Sequence, residues 1–235
     1  MKEGNNNIKL ILKNELNKIE EMFYECKTLK NIDDLKYLNT SKITDFSYIF
    51  FGCTSLENIN SLENWDVSKG NNFQGLFSKC QNLLDIKPLE KWKVSNGTNF
   101  KSMFYKCQSL SNLIPLKDWN ISKNINFSYM FSKCSSLKDL NGLEFWDVSD
   151  GTNFENMFSG CKLLSNIEAV ENWNVSNSNS FHSMFENCSS LSNIKPLNNW
   201  EVSEYSDVSH MFNGCSHYLD LIVLKNWKIR PTIIK

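Results

Sequence analysis

The chain has 235 residues, and 25 lysines and arginines against 26 aspartates and glutamates give a formal net charge of -1 at pH 7. Balanced charge removes the electrostatic case for nucleic acid or an acidic membrane surface as a partner. No apolar run reaches the roughly 18 residues that a transmembrane helix needs, so we expect no membrane insertion. The first residues lack the apolar core of a secretory signal.

The dominant feature of the chain is a constant interval of 27 residues between its cysteines and between its tryptophans. The cysteines are Cys26, Cys53, Cys80, Cys107, Cys134, Cys161, Cys188 and Cys215. The tryptophans are Trp65, Trp92, Trp119, Trp146, Trp173, Trp200 and Trp227. A fixed period of this length is typical of solenoids, in which one supersecondary unit stacks on the next. We therefore predict a single elongated solenoid rather than a globular fold.

The period also predicts the domain boundaries. Residues 1–18 break the pattern, and Ile8, Leu10 and Leu12 alternate as an edge strand would, which predicts an N-terminal cap. A single solenoid domain of eight 27-residue repeats is expected over 19–234. The predicted repeats are 19–45, 46–72, 73–99, 100–126, 127–153, 154–180, 181–207 and 208–234.

The repeat at 100–126 shows which elements to expect in each unit. Phe100, Met103, Phe104 and Cys107 recur at i, i+3, i+4 and i+7, which predicts a helix of about two turns. Good N-cap residues stand just before this stripe in seven units. They are Asp45, Asn72, Asn99, Asn126, Asn153, Ser180 and Asp207. Short strands are predicted near 112–114 and 119–121, so that each unit of this α/β solenoid combines a short helix with short strands.

A second column contains only asparagine and aspartate, at Asn31, Asn58, Asp85, Asn112, Asp139, Asn166, Asn193 and Asp220. Eight polar side chains in register could form a ladder for a metal or a substrate. The alternative is that short polar side chains hydrogen-bond to the backbone at a bend. We favour the second interpretation.

The cysteines are expected to be free and buried rather than paired. If they lie on neighbouring helices, they are roughly 8–10 Å apart, whereas a disulfide needs Cα atoms within about 7 Å. Cysteine and histidine do not occur in close pairs at zinc-ligand spacing. We predict no metal site and no cofactor.

The complete unit, F-x-x-M-F-x-x-C-x-x-L-x-x-I-x-x-L-x-x-W-x-V-S, resembles the BspA-like leucine-rich-repeat family. The clearest copies are at 100–126, 127–153 and 154–180, and the resemblance covers 19–234. It implies a leucine-rich-repeat-like α/β solenoid that binds proteins, in a family of bacterial and protist proteins often found at the cell surface and sometimes in adhesion. That resemblance implies a surface or extracellular location, whereas unpaired cysteines suit the reducing cytoplasm.

The leading functional hypothesis is a non-catalytic, adhesion-type module that binds a protein partner. The core columns hardly vary between units, while exposed columns vary freely. One outer column contains Tyr24, Phe51 and Tyr105, and its neighbour contains Tyr48 and Tyr129. Exposed aromatics on nearby coils are candidate binding residues. The alternative for these five is scattered surface aromatics or packing between coils.

Two other functions are compatible with a repeat chain of this kind to different degrees. A structural spacer or stacking component would use its end surfaces, with Leu219–Leu224, Ile233 and Ile234 implying end-to-end self-association. An enzyme is disfavoured, because the histidines are only His182, His210 and His217. His182 and His210 could approach each other, but the sequence places no serine or cysteine nucleophile beside them. We predict no catalytic residues.

Overall fold

The computed structural model describes residues 18–228, and its regular elements in that range are seven short 3-10 helices. They span Asp33–Tyr37, Asn60–Asn64, Lys87–Leu89, Ile114–Leu116, Glu168–Val170, Lys195–Asn199 and Leu221–Leu224. Their first residues recur every 27 residues over 33–114 and again over 168–195. The predicted cap with Ile8, Leu10 and Leu12, and the pair Ile233 and Ile234, lie outside the described residues.

Successive coils are joined by six isolated parallel bridges, each between residues 27 apart in the chain. The bridges connect Asp45, Asn72, Asn99, Asn126, Asn153, Ser180 and Asp207 in that order. Beyond each bridge, alternate N–H groups donate to carbonyls of the next coil, as Phe46 does to Asn72 at 2.8 Å and Tyr48 does to Gln74 at 2.9 Å. A solenoid of stacked coils is therefore the architecture of the described part.

The helix predicted for the Phe100–Cys107 stripe is wrong, because this segment is a series of tight turns. Two residues in it, Ser102 and Lys106, have left-handed φ values of 57° and 60°. Their N–H groups donate to Ser128 and Ser132 of the next coil, so they cannot take part in an i to i-4 ladder. The apolar side chains still share one interior, which explains why their spacing imitates a helix.

The predicted strands are also absent from the described residues. Residues 114–116 form a 3-10 helix, and 119–121 have no regular structure. The predicted N-cap residues keep their function in a different setting: Asp45 Oδ1 accepts the N–H of Ser47 at 2.8 Å and starts the turns rather than a helix. Over 18–228, the expected helix-and-strand repeat is replaced by turns, 3-10 helices and single bridges.

Aromatic ladders fill the interior of the solenoid. Buried phenylalanines stack on their equivalents one coil away, as Phe50 and Phe77 do with ring centroids 5.6 Å apart. Trp92 and Trp119 stack at 6.4 Å. Each of the seven tryptophans donates its indole N–H to a backbone carbonyl 30 residues earlier. Each coil thereby satisfies polar groups of the coil before it.

The cysteines are free, as expected from the sequence. Six are buried, but Cys26 and Cys215 are only half-buried, so the prediction of complete burial is wrong for these two. They belong to the first and last coils of the described range, where a packed neighbour stands on one side only. Cys53 to Cys215 each donate a thiol hydrogen bond to a phenylalanine carbonyl 30 residues earlier, at 3.1–3.2 Å.

The asparagine and aspartate column hydrogen-bonds to the backbone. At all eight of these positions the side-chain oxygen accepts the N–H of the residue two positions later. Asn112 Oδ1, for example, accepts the N–H of Ile114 at 2.9 Å, where a 3-10 helix begins. The interpretation as a turn-forming column is confirmed.

Candidate functional site

The five aromatic residues predicted to bind lie on the outside of the turn segments that precede the cysteines. We call them, together with Lys79, Lys106 and Lys133, the aromatic–lysine face. Tyr24 is 45% exposed, and the other four aromatic side chains are half-buried. The face is therefore accessible, but most of its rings are supported by neighbouring coils.

Tyr24, Tyr48 and Phe51 form the first aromatic cluster. The Tyr24 and Phe51 rings stack with centroids 4.7 Å apart, and Tyr48 meets Phe51 edge-on at 5.8 Å. The Tyr48 ring lies on Gly75, whose absent Cβ would stand 2.5 Å from a Tyr48 ring carbon. The Tyr48 hydroxyl accepts a hydrogen bond from the Gln74 amide. These contacts hold the cluster in one arrangement.

Tyr105 and Tyr129 form the second cluster, with ring centroids 6.2 Å apart and nearly perpendicular planes. The Tyr129 hydroxyl donates to Glu155 Oε1 at 2.8 Å. Burial, followed by this bond to a carboxylate, raises the pKa of Tyr129 to about 12. Tyr129 is therefore a neutral donor at physiological pH.

Three lysines, which the sequence analysis did not identify as site residues, lie against these rings. Lys79 Nζ is 4.4 Å from the Phe51 centroid. Lys106 Nζ and Lys133 Nζ are 5.2 Å and 5.9 Å from the Tyr105 centroid. The signal for them in the sequence is their recurrence every 27 residues, each directly before a cysteine.

The structure does not bring all five predicted residues into one cluster. Gly75 and Ser78 occupy the two aromatic columns in the coil between the clusters. Ser78 is buried, and its hydroxyl has no hydrogen-bond partner in the described part of the chain. Two rigid aromatic clusters are thus separated by one coil with small side chains, and Lys79 lies beside this gap.

His182 and His210 do approach each other, with ring centroids 5.5 Å apart. The structure adds a serine that sequence reasoning missed, because Ser209 Oγ lies 2.7 Å from His182 Nδ1 and 2.5 Å from Asp207 Oδ1. The hydroxyl has one proton and donates it to the carboxylate, so Nδ1 must be the donor toward Oγ. A histidine that donates to the serine cannot deprotonate it.

The electrostatics of this cluster agree with a structural hydrogen-bond network. Burial opposes ionisation of Asp207, but the bonds from Ser209 and the electrostatic influence of the nearby His182 and His210 outweigh it and lower the pKa of Asp207. His210 Nδ1 accepts from the Asn213 amide at 2.7 Å. In residues 18–228, no three His, Cys, Asp or Glu side chains are placed to hold a metal ion.

An open groove of about 610 Å³ lies along the bends of neighbouring coils. Its lining includes Glu57, Asn58, Leu84 and Asp85. The Asn58 and Asp85 side chains already accept backbone N–H groups and shape the bends, so these two groups serve the fold rather than a ligand. The groove is therefore a weaker candidate than the aromatic–lysine face.

Family comparison decides what kind of repeat this is. Residues 17–142 and 126–233 match the family described as "Mycoplasma protein of unknown function, DUF285". The chain belongs to this family. DUF285 is a repeat family, and the match confirms the resemblance to BspA-like leucine-rich repeats. No curated protein matches the chain.

Among solved structures, the chain is similar to a leucine-rich repeat protein from Eubacterium ventriosum, at 16% identity and a TM-score of 0.39. The match covers 82% of this chain and 58% of the other, so the chain spans little more than half of that protein. A leucine-rich cell surface protein from Faecalibacterium prausnitzii matches at 16% identity and a TM-score of 0.31, covering 86% and 68% of the two chains. Within the described residues, none of the helices has the length and apolar character needed to cross a bilayer.

Proposed function

We propose that this chain is a non-catalytic repeat module that binds a protein partner through the aromatic–lysine face. The observation that carries this proposal is the gathering of five partly exposed aromatic side chains into two supported clusters on one face. Aromatic residues dominate binding hot spots because they bury a large area and have few rotatable bonds. Rings already fixed by their neighbours lose little entropy on binding.

The scaffold beneath the face supports the same proposal. Phe50, Phe77 and Phe104 are fully buried directly under the turn segments, so the face rests on a packed ladder. The outer column that contains Asp33, Lys87 and Ile114, by contrast, is exposed at each of its positions from 33 to 222 and changes chemistry along the solenoid. A constant interior with a variable exterior allows surface residues to change without loss of the fold.

We further propose an adhesion-type role at the cell surface, on the strength of the BspA-like repeat. Free cysteines do not oppose this location. The interior thiols are buried and donate to carbonyls, so oxidants and other thiols cannot reach them without unfolding.

The test is capture of partners from extracellular and cell-surface extracts, followed by mass spectrometry. The variant Tyr24→Ser/Phe51→Ser/Tyr105→Ser removes three rings and introduces the residue found in the same column at Ser78, Ser132 and Ser159. The control, Tyr37→Asn/Phe145→Asn, removes rings that are 77% and 88% exposed elsewhere and introduces the residue of that column at Asn64 and Asn199.

We expect the intact chain and the control to capture the same protein, and the triple variant to lose it while keeping its thermal unfolding transition. Equal capture by the triple variant would show that binding, if any, uses another surface. The proposed face would then be wrong.

A structural role through the solenoid ends is the second candidate. In the last described coil Phe212 is half-buried, although its equivalent Phe185 is fully buried, and Ile222 is 75% exposed. This exposed apolar surface favours stacking on another coil. Light scattering distinguishes the two functions. A particle size that increases with protein concentration, and does not increase in the Ile222→Lys variant, supports stacking. A monomer at all concentrations opposes it.

A further inference from the structure

Lys79, Lys106 and Lys133 form a row along three consecutive coils. The backbone N–H of Lys79 donates to Tyr105 at 2.6 Å, and that of Lys106 donates to Ser132 at 2.8 Å, so the three residues follow the ladder that joins the coils. Neighbouring strands in such ladders lie about 4.8 Å apart. Three ammonium groups are thus attached to backbone positions that are close together.

Two of these three charges are not neutralised within the described residues. Lys79 Nζ lies 3.8 Å from Glu25 Oε1, and the same carboxylate also pairs with Lys27 at 3.3 Å. Lys106 and Lys133 form no ion pair with any carboxylate in 18–228, and both ammonium groups lie within 6 Å of the Tyr105 ring centroid. An aromatic surface with excess positive charge therefore stands at the centre of the face.

The turn itself does not require lysine. Lys79, Lys106 and Lys133 have φ values of 60–63°, a conformation that is unfavourable for any residue with a Cβ. Other coils make the same turn with Gly52, Gly160 and Gly214, or with Glu25 and Asn187. Since glycine does this without steric cost, the lysines are not explained by the backbone. Their charge remains to be explained.

Acidic residues flank this row on both sides. Glu25 lies beside Lys79 at one end, and Glu155, bonded to Tyr129, lies beyond Lys133 at the other. A long polyanion such as a nucleic acid would meet both carboxylates. A short segment with a few carboxylates would avoid them and could place apolar side chains on the aromatic rings.

We propose that the aromatic–lysine face binds a short, extended, acidic peptide segment of a protein partner. Its carboxylates pair with Lys106 and Lys133, and its apolar side chains pack on Tyr105 and Phe51. An extended chain advances about 3.3 Å per residue, so roughly five to seven residues span the row and the first cluster. This proposal rests on the proposed function and adds the chemistry of the partner.

The experiment is selection from a random peptide library displayed on phage, with the intact chain as bait. The variant Lys106→Gln/Lys133→Gln removes the two unpaired charges, and the control Lys138→Gln/Lys195→Gln removes two exposed lysines elsewhere. We expect aspartate and glutamate to be enriched in peptides selected by the intact chain and the control, and not in those selected by the face variant.

The selected peptides are then synthesised and titrated by calorimetry. The face variant should bind about five- to twenty-five-fold more weakly, the effect of losing two partly exposed charge pairs. The affinity of the intact chain should fall with added salt, because these charges are near the solvent.

The possible outcomes separate the two proposals. One outcome is that the selected peptides are not enriched in acidic residues, and that the Tyr24→Ser/Phe51→Ser/Tyr105→Ser variant no longer binds them whereas the lysine variant still does. This result would show that the acidic partner is wrong and that the binding face is correct. If neither variant changes the binding of the selected peptides, both the binding face and the acidic partner are wrong. If a single-stranded oligonucleotide binds more tightly than the best peptide, the proposal that the face binds a peptide segment is wrong.

Discussion

At the scale of single residues, the indole nitrogen is the most informative group in the interior. Trp119 is 3% exposed and donates to the Leu89 carbonyl at 2.9 Å, while its ring stacks on Trp92. The side chain therefore fills the core and satisfies a buried acceptor of the preceding coil. These two contributions explain why tryptophan rather than phenylalanine recurs at this position.

We predict that Trp119→Phe lowers the free energy of unfolding by about 2–3 kcal/mol, since a buried carbonyl loses its donor and the smaller ring leaves a void. Urea denaturation measures this change. The exposed substitution Tyr37→Phe is the control and should have almost no effect. A change at Trp119 as small as that of the control would mean that the indole hydrogen bond contributes nothing.

The lysines with a left-handed backbone give a prediction of the opposite sign, because their substitution by glycine should increase stability. Lys133 has φ of 63°, so Lys133→Gly should raise the free energy of unfolding by about 1 kcal/mol. The control Lys138→Gly, at a position without positive φ, should lower it by about 0.5–1 kcal/mol. Thermal denaturation of the two variants measures the sign of the stability change in each. A loss of stability at both positions would contradict the view that Lys133 is retained for its charge.

At the scale of the element, each turn segment ends in a thiol that belongs to the interior. Burial raises the pKa of Cys53 to about 12 and that of Cys215 to about 11, in each case outweighing a hydrogen bond from the backbone of the cysteine one coil earlier, Cys26 or Cys188, which lowers it. Burial also raises the pKa of Cys80, Cys107 and Cys161. The folded state therefore keeps these thiols protonated at pH values where the unfolded chain ionises them.

The consequence is a loss of stability in alkali. Unfolded thiols release their protons near pH 8.5, so the folded state binds more protons above that pH and stability falls as pH rises toward the folded values of about 11–12. Each thiol contributes a slope of at most about 1.4 kcal/mol per pH unit. Denaturation midpoints measured from pH 7 upward should be constant at first and then decrease, with a smaller slope in Cys107→Ala.

A thiol titration separates the end coils from the interior. Cys26 and Cys215 are half-buried and should react first in the folded protein, whereas the six buried thiols should react only in denaturant. Uniform reaction of all eight in the native state would contradict the packed thiol ladder.

The turn segments also show where sequence reasoning stopped at this scale. The spacing Phe100, Met103, Phe104, Cys107 predicted which side chains are buried, and all four are fully buried. It could not distinguish a helix from turns, because both place these side chains in one interior. The deciding factor is non-local: alternate N–H groups such as that of Phe104 donate to the next coil, here to Met130 at 2.9 Å.

At the scale of the whole molecule, stability is distributed over interfaces between neighbouring coils with the same interior pattern. The stacks between equivalent rings join residues 27 apart, and the indole and thiol bonds join residues 30 apart, so every coil depends mainly on its neighbours. Such a chain behaves as a one-dimensional array in which coils are interchangeable.

Removal of one whole coil should therefore be tolerated. Deletion of residues 100–126 brings Asn99 against Phe127 in the same register, and we predict a folded protein with a modestly lower melting temperature. Deletion of 100–112 removes part of a coil, places unlike columns against each other and should abolish the cooperative transition. Circular dichroism and calorimetry measure the folding of both deletion variants. If both lose the cooperative transition equally, the coils are not interchangeable units of a one-dimensional array.

The aromatic–lysine face was predicted in part. The columns identified Tyr24, Tyr48, Phe51, Tyr105 and Tyr129 as outward-facing neighbours, and the structure places them in two clusters. Their binding role stays a prediction. The three lysines were not predicted, because their contacts with the rings depend on a left-handed backbone that the spacing does not show.

The sequence by itself determined the period, the residues of the interior and the stacking of the chain, since burial of apolar side chains follows directly from their spacing. Only the tertiary structure decided the backbone conformation of each coil, because the partners of its N–H groups lie one coil away and local spacing carries no information about them. The same holds for the aromatic–lysine face: the pairing of charges and rings depends on which coils touch.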